Sequence, residues 1–333
     1  MIPREELSLW LADGRAQQST LERMERVTRH LKTLSFYRRL EAALADLPNC
    51  TASKILGCAQ RAMEDENALH EVFTCLIEAS AEDPYFRPAL RNISTDLQAG
   101  ILLFETADLS VSLSVLSPDA LAAKRTGPAG ARSIVFPGQR SVYRFLKAGG
   151  ATLSLWEAPP IEPGFTAATS GRCRLVERRA IADGELLWLD GRRQTFVIDH
   201  AVGHLVYLQA ITAAGRAPLT VEYDQGSLAF AGASSTDEVS SRTQMMLAML
   251  RTMDRADAVP LMVELLASPN FYARWQAMRE LVALDAEVAL PHLEEMARAD
   301  DHPEVRAAAA SALAACFPED ADAPALEPVL EVR

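Results

Sequence analysis

The segment Asp301-His-Pro-Glu-Val-Arg-Ala-Ala-Ala-Ala-Ser-Ala-Leu313 is a second, more regular version of the earlier segment Ser268-Pro-Asn-Phe-Tyr-Ala-Arg-Trp-Gln-Ala-Met-Arg-Glu-Leu281. The matching arginines, Arg274 and Arg306, are 32 residues apart, and so are the final leucines. A self-similarity of this length in helix–turn–helix units is typical of an α-solenoid, in which stacked repeats share one continuous core. We therefore predict an α-solenoid over residues 237–318.

These segments resemble HEAT repeats of the short, bacterial, phycobilisome-lyase-like kind. The likeness is carried by an Asp or Ser and a Pro in the loop, a Val-Arg pair, a run of small residues and a final Ala-Leu. The earlier copy departs from it, because Trp275 stands where a small residue is usual. The resemblance implies an arm that binds proteins, with Trp275, Arg274 and Arg306 as candidate partner-binding residues. A structural role near the acidic turns is the favoured interpretation for the two arginines.

Further towards the N-terminus, over residues 98–236, the hydrophobic period changes from 3.6 to 2. The stretch Leu109-Ser-Val-Ser-Leu-Ser-Val-Leu116 alternates serine with aliphatic residues, which predicts a strand with one face in water. More short apolar runs follow at intervals of about ten residues, separated by Gly, Pro and Asp-Gly turns. This pattern favours an antiparallel β sandwich or barrel.

Part of this segment, from Ala182 to Gln209, is similar in its rhythm of turns and strands to a cupin-type jelly roll. Enzymatic cupins hold a metal ion with a His-x-His pair, a following Glu and a later His, an order that this sequence lacks. The resemblance nevertheless makes His200, His204 and Glu185 candidate ligands of a divalent Fe or Zn ion. Four residues of straight strand span about 13 Å, so the two histidines meet only if the chain turns between them. The alternative interpretation is a pair of strand-end histidines that make ordinary hydrogen bonds.

An arginine-rich run precedes this stretch. Strand alternation places Arg172, Arg174 and Arg178 on one face, and Arg192 follows in a nearby turn. Guanidinium groups bind carboxylates and phosphates bidentately, so these residues are a candidate site for a small anionic ligand. The alternative is a solvated edge strand that its charges protect from aggregation.

The first 97 residues show helical spacing of apolar side chains throughout, and Asp83-Pro84 is predicted to begin the last of these helices. The predicted fold class is therefore an α+β multidomain protein. It consists of an N-terminal helical domain (1–97), a β jelly-roll domain (98–236), HEAT-like helical repeats (237–318) and a loose tail (319–333).

The net charge of −12 is distributed unevenly along the chain. Residues 1–97 carry −3, residues 98–236 carry +1 and residues 237–333 carry −10. This balance argues against nucleic acid as a partner and favours a protein partner with a basic surface. The sequence contains no apolar run long enough for a membrane span, and its five cysteines form no CxxC pair, so we expect a reduced, cytoplasmic protein of bacterial type.

Nucleophile elbows, P-loops and dinucleotide-binding glycine motifs are absent from the sequence, so no catalytic residue and no cofactor is predicted. The expected function is that of a non-enzymatic accessory or regulatory protein, with the β domain as a scaffold or a sensor of a small anionic ligand. The alternative is a cupin-like metal-dependent enzyme of the oxygenase or isomerase type. The HEAT resemblance alone also suggests phycobilin lyase chemistry, but HEAT repeats serve many functions.

Overall fold

The computed structural model describes residues 4–45, 50–126, 133–162 and 164–317. Within these residues, helices are followed by antiparallel strands and then by helices again, so the predicted fold class is confirmed. The predicted loose tail, residues 319–333, lies outside the described residues. Among the described helices, none combines the length and the apolar character that a membrane span requires.

Five helices form the N-terminal layer: α1 (Arg4–Ala12), α2 (Gly14–Leu31), α3 (Ser35–Ala45), α4 (Ala52–Glu64) and α5 (Glu66–Glu82). The apolar stripes of α2, α3, α4 and α5 share one core with alternate residues of the largest sheet of the β domain, among them Val111, Val142 and Leu208. A buried arginine reinforces this packing, because the Arg144 guanidinium donates to the carbonyl of Met63 and to Glu66. The N-terminal helices therefore cover much of one face of the sheet, although Val115 and Trp188 on that face are exposed.

Twelve strands and one helix make up the described part of the β domain. The elements are β1 (Asn92–Ser94), β2 (Gln98–Glu105), β3 (Leu109–Leu116), α6 (Pro118–Thr126), β4 (Ser133–Phe136), β5 (Arg140–Lys147), β6 (Thr152–Glu157), β7 (Arg174–Ala180), β8 (Leu186–Asp190), β9 (Gln194–His200), β10 (Leu205–Thr212), β11 (Leu219–Asp224) and β12 (Phe230–Ser235). The largest sheet has the order β1-β2-β3-β10-β5-β8, and the smaller ones are β12-β11-β4 and β7-β6-β9. These strands form three separate hydrogen-bonded sheets and do not close into one barrel.

The serine face of β3 differs from the expectation. Leu109 and Val111 pack against the N-terminal helices, whereas Ser112 and Ser114 lie on the opposite face and are buried inside the β domain. The alternation therefore marks a strand correctly, but the predicted water-exposed face is wrong. Both faces of this sheet are covered, and the small polar residues line the interior.

The helix predicted from Asp83-Pro84 does not form, and β1 begins at Asn92 instead. Pro88 accounts for the difference, because a proline inside a helix removes a hydrogen bond and clashes with the preceding turn. Phe86 is still buried, but a short loop places it in the core.

The C-terminal helices are α7 (Glu238–Thr252), α8 (Val259–Leu265), α9 (Phe271–Leu284), α10 (Ala286–Ala299) and α11 (Pro303–Cys316), with a short 3-10 turn at Ala256–Ala258. Helix α8 packs on α9 and α10 packs on α11, and α9 also contacts α7. One apolar core runs through all five helices, as a solenoid requires.

The C-terminal helices are joined to the β domain through the start of α9. Tyr272 and Ala273 lie in the same buried cluster as Phe165 and Leu219 of the β domain. The backbone N–H of Ala167 also donates to Glu304 of α11, at 2.7 Å. The first turns of these helices are therefore packed against the β domain.

Candidate partner-binding surface of the C-terminal helices

Two predicted partner-binding residues, Arg274 and Arg306, make contacts within the repeats. The Arg274 guanidinium donates bidentately to the Asp300 carboxylate, at 2.8 and 2.6 Å, and also to the carbonyl of Ser268 at 2.9 Å. Arg306 donates to the backbone carbonyl of Asp300. The two arginines thus converge on Asp300 from successive repeats, which supports the structural interpretation.

The Arg274–Asp300 pair is largely withdrawn from water, with side-chain exposures of 13% and 5%. Burial alone raises the pKa of the Asp300 carboxyl. The hydrogen bonds from Arg274 and from the His302 backbone outweigh burial, and the pKa is lowered overall. The carboxylate is consequently held in its charged form by the repeat that precedes it.

Trp275, the third predicted partner-binding residue, is half-buried at the edge of a small cleft between α9 and the β domain. We call this the aromatic cleft; its volume is about 130 Å³. Its aromatic lining is Phe165, Phe230, Phe271, Tyr272 and Trp275. A cavity of this size holds about one benzene-sized ring, so the cleft suits one apolar side chain.

Helix α7 and its C-cap residue, Met253, carry four exposed methionines on the side that faces away from the core. Met245, Met246, Met249 and Met253 are between 58% and 68% exposed, whereas Leu247 on the opposite side is buried. We call these four residues the methionine face. Gln244, next to Met245, lines the aromatic cleft, so the methionine face and the cleft are neighbours on α7.

Sequence reasoning missed this face. The spacing 246, 249, 253 is visible in the sequence, but the same spacing occurs in helices whose apolar residues are buried. Only the packing of α7 against α9 shows that these methionines point outwards. The end of a solenoid usually presents a polar outer face, so an apolar face in this position indicates a binding surface.

The arginine-rich strand is interrupted by a β-bulge. The register between β6 and β7 shifts between Leu155 and Trp156, so Val176 has no direct partner. A bulge breaks strict alternation. The predicted single face of Arg172, Arg174 and Arg178 is therefore not continuous.

Carboxylates already occupy most of the predicted anion-binding arginines. Arg174 pairs with Glu157, and Arg178 donates to Asp199 at 3.1 Å. Arg192 holds Asp190 bidentately, at 2.8 and 2.6 Å, while the exposed Arg172 forms a backbone bridge to Ala229. A hydrogen bond from Arg192 is the main reason why the pKa of Asp190 is lowered. An anionic ligand would have to compete with these side chains.

The three candidate metal ligands are not brought together. His200 ends β9, His204 precedes β10, and Glu185 is held in a turn by Arg179 at 2.6 Å and by the N–H of Ala182 at 3.0 Å. Among the residues that the structure describes, no three His, Cys, Asp or Glu side chains lie close enough to share a metal ion.

We therefore expect that EDTA leaves the melting temperature of the purified protein unchanged. The physical reason is that a structural metal adds its binding free energy to folding, and these three residues form no such site. Differential scanning fluorimetry with and without chelator checks this prediction. A fall in Tm that zinc or iron restores, and that His200→Ala abolishes, would contradict it.

Four aromatic rings cluster in the interior of the β domain: Phe145 and Tyr207, which are buried, and Tyr143 and Phe196, which are partly buried. Neighbouring centroids lie 4.9 to 6.4 Å apart. Gln209 donates to the Tyr143 hydroxyl at 2.6 Å, and the Tyr207 hydroxyl donates to Gln98 at 2.5 Å. Burial raises the pKa of both tyrosines, so both hydroxyls stay protonated at neutral pH. These residues form a packed core with satisfied polar groups.

Comparison with protein families identifies a match to HEAT repeats over residues 230–314, about a quarter of the chain. The predicted resemblance of the C-terminal segment to HEAT repeats is thereby confirmed. Comparison with curated proteins gives no match.

Similar solved structures include cupin proteins, the resemblance predicted for the middle segment. A cupin domain from Bordetella pertussis is 11% identical, with 37% of this chain and 99% of that chain covered and a TM-score of 0.22. Ectoine synthase from P. lautus is 14% identical, with coverages of 37% and 71% and a TM-score of 0.22. A sugar phosphate isomerase of the cupin superfamily from Silicibacter pomeroyi is 12% identical, with coverages of 45% and 90% and a TM-score of 0.23. Similarities at these TM-scores support no argument about activity.

Proposed function

We propose that this protein is a non-enzymatic interaction protein whose C-terminal helices bind a basic amphipathic helix of a protein partner. The observation that carries the proposal is the methionine face of α7. The four exposed methionines of α7 and its C-cap form an apolar surface that the described part of the chain leaves uncovered. Methionine side chains are flexible and polarisable, so they adapt to the apolar face of a helix that docks on them.

The charge of the C-terminal helices supports a basic partner. Residues 237–317 contain 13 acidic and 7 basic side chains, which gives a net charge of −6. The negative end of the α7 macrodipole and the exposed Asp254 both lie beside Met253. Lysines and arginines that flank the apolar face of a partner helix complement this surface, and they accelerate association.

The β domain acts in this proposal as a rigid support for the helices. Its interior is packed, and the start of α9 is anchored in one of its cores. Trp275 lies within reach of the same partner, because the aromatic cleft and the methionine face share α7. The alternative function, a metal-dependent enzyme, requires ligands other than His200, His204 and Glu185.

The experiment uses the full-length protein with ¹³C-methyl-labelled methionines and a synthetic peptide as the probe. The peptide is helical, with leucines on one face and lysines on the other, and its twin carries glutamates in place of the lysines. We expect the lysine peptide to shift the methyl signals of the methionine face, with an affinity that falls as salt rises. The variant M246Q/M249Q/M253Q should weaken binding at least tenfold, because each buried methionine contributes roughly 1.5–3 kcal/mol.

The matched control replaces three exposed apolar residues of the N-terminal helices, as L9Q/L21Q/I77Q. This variant should bind the lysine peptide as the wild type does. Equal affinity for the two peptides, or unchanged binding by the methionine variant, would overturn the proposal. A natural partner captured from lysate then has to lose affinity for the methionine variant but not for the control.

A further inference from the structure

The aromatic cleft extends along one side of α9. Tyr272, Trp275 and Arg279 all line it, and they follow one another at steps of three and four residues, so they lie on the same side of the helix. The seven residues from Tyr272 to Arg279 correspond to about 10 Å along the helix axis. The cleft therefore has an aromatic end beside the β domain and a cationic end at Arg279.

At the aromatic end, rings from the β domain meet rings from α9. The centroids of Phe165 and Phe230 are 5.9 Å apart, and those of Phe271 and Tyr272 are 5.4 Å apart. The half-buried Trp275 lies at the edge of the same space. A space of about 130 Å³ with this lining accommodates one aromatic ring, which gains edge and face contacts with its neighbours.

Arg279 is the charged group at the other end. It is exposed, and within the described part of the chain its guanidinium takes part in no hydrogen bond or ion pair. Glu280, the next residue in the sequence, is only 6% exposed and is held by Arg251 and Gln276. In a group of helices with a net charge of −6, this guanidinium is thus left for a carboxylate from outside, which it can hold with two parallel N–H bonds.

Glu304 of α11 is the carboxylate that lines the cleft. It is half-buried and accepts the N–H of Ala167 at 2.7 Å, so it is held towards the backbone of the β domain. This hydrogen bond uses part of its capacity as an acceptor. Arg279 has no such tether among the described residues, so it is the charge that can turn towards a ligand, and the site favours an anion.

We propose that the aromatic cleft binds a small arylalkanoate, a molecule with one aromatic ring and a carboxylate at the end of a short chain. The ring lies among Phe165, Phe230 and Trp275, and the carboxylate accepts from Arg279. A neutral aromatic side chain of a protein partner would use the aromatic end alone, so the acid group distinguishes the two occupants. This site is separate from the arginine-rich strand, and it adjoins the methionine face through Gln244.

The test uses the ¹⁵N-labelled full-length protein and three probes that share one ring: 3-phenylpropionate, 3-phenylpropionamide and 3-phenylpropylammonium. The indole N–H signal of Trp275, assigned with Trp275→Phe, reports binding. We expect the acid to bind at least threefold more tightly than the amide at low ionic strength, and the ammonium to bind most weakly. A ratio of this size is what an exposed ion pair contributes.

Two variants separate the charge from the ring. Arg279→Gln should lower the affinity for the acid to that for the amide and leave the amide unchanged. Glu304→Gln keeps an oxygen acceptor for Ala167 but removes the opposing charge, so it should strengthen binding of the acid severalfold relative to the amide. The matched control is Arg298→Gln, at another exposed arginine of the C-terminal helices, and it should bind all three probes as the wild type does.

No binding of any probe, or a preference for the acid that survives in Arg279→Gln, would overturn the proposal. Equal affinity for acid and amide would also overturn it and would indicate a pocket for a neutral ring, whereas tightest binding of the ammonium would indicate a cation site at Glu304. The variant M246Q/M249Q/M253Q should bind 3-phenylpropionate as the wild type does, which separates this result from the outcome for the methionine face.

Discussion

Replacing Arg274 with leucine is expected to destabilise the C-terminal helices by about 3–5 kcal/mol, the usual loss when one partner of a buried ion pair is removed. The variant leaves the Asp300 carboxylate buried, at 5% exposure, without its two guanidinium hydrogen bonds. The carbonyl of Ser268 loses a donor at the same time. The protein has several domains, so the loss is best measured by hydrogen exchange over residues 259–317 rather than by one global transition.

The double variant R274L/D300L is the control for this interpretation. It removes both charges, so it should be less destabilised than Arg274→Leu alone, as is often found when a buried pair is replaced by apolar residues. A double variant as unstable as the sum of the two single variants would show that the pair itself contributes nothing beyond packing.

We expect the Arg274–Asp300 pair to make the folded protein less stable in acid. The pKa of Asp300 is lower in the folded protein than in the unfolded chain. The contribution of Asp300 to the free energy of unfolding is therefore fully present at pH values above its pKa in the unfolded chain, about 3.9. It is lost as the pH falls through the lower, folded value. Arg274→Leu should remove this part of the acid dependence, and an unchanged pH profile would speak against the pair as its source.

The repeat pattern of the C-terminal helices made most of their structure predictable. Arg274, Arg306 and the final leucines recur at a fixed spacing because each repeat buries the same positions against its neighbours. The spacing does not show where the stack of helices ends. The methionine face of α7 is exposed because no described helix packs on it, and that depends on the tertiary structure.

The β domain shows a different limit of what can be predicted from the sequence. The alternation from Leu109 to Leu116 predicts a strand, but it cannot show that helices pack on the apolar face and that Ser112 and Ser114 on the other face are buried as well. The same is true of the arginine-rich strand, whose carboxylate partners Glu157 and Asp199 come from neighbouring strands. Local periodicity identifies an element, whereas its neighbours decide which of its faces is free.

His302 is the buried residue whose surroundings the sequence hid most completely. It lies in the loop of the repeat, directly before α11. Its burial depends on Phe271, 31 residues earlier, and on the β-domain loop that contains Phe165. Contacts between domains of this kind leave no periodic signal in the sequence.

Replacing Phe145 with alanine is expected to destabilise the β domain by about 3–5 kcal/mol, the usual range for a fully buried phenylalanine. Phe145 has no exposed surface, and its ring lies between 6.1 and 6.4 Å from those of Tyr143, Phe196 and Tyr207. The variant leaves a void lined by aromatic side chains. Hydrogen exchange over β5 and β10 measures the loss, and benzene or indole should restore part of it by filling the void.

This prediction distinguishes a supporting β domain from one that holds a ligand in its interior. A packed core has to lose stability in proportion to the atoms removed, so Phe145→Leu should cost less than Phe145→Ala. An interior with room for a substrate tolerates the change, because its walls are already incompletely packed. If Phe145→Ala is as stable as the wild type, the interior is not a packed core, and the role of this domain as a rigid support for the methionine face has to be abandoned.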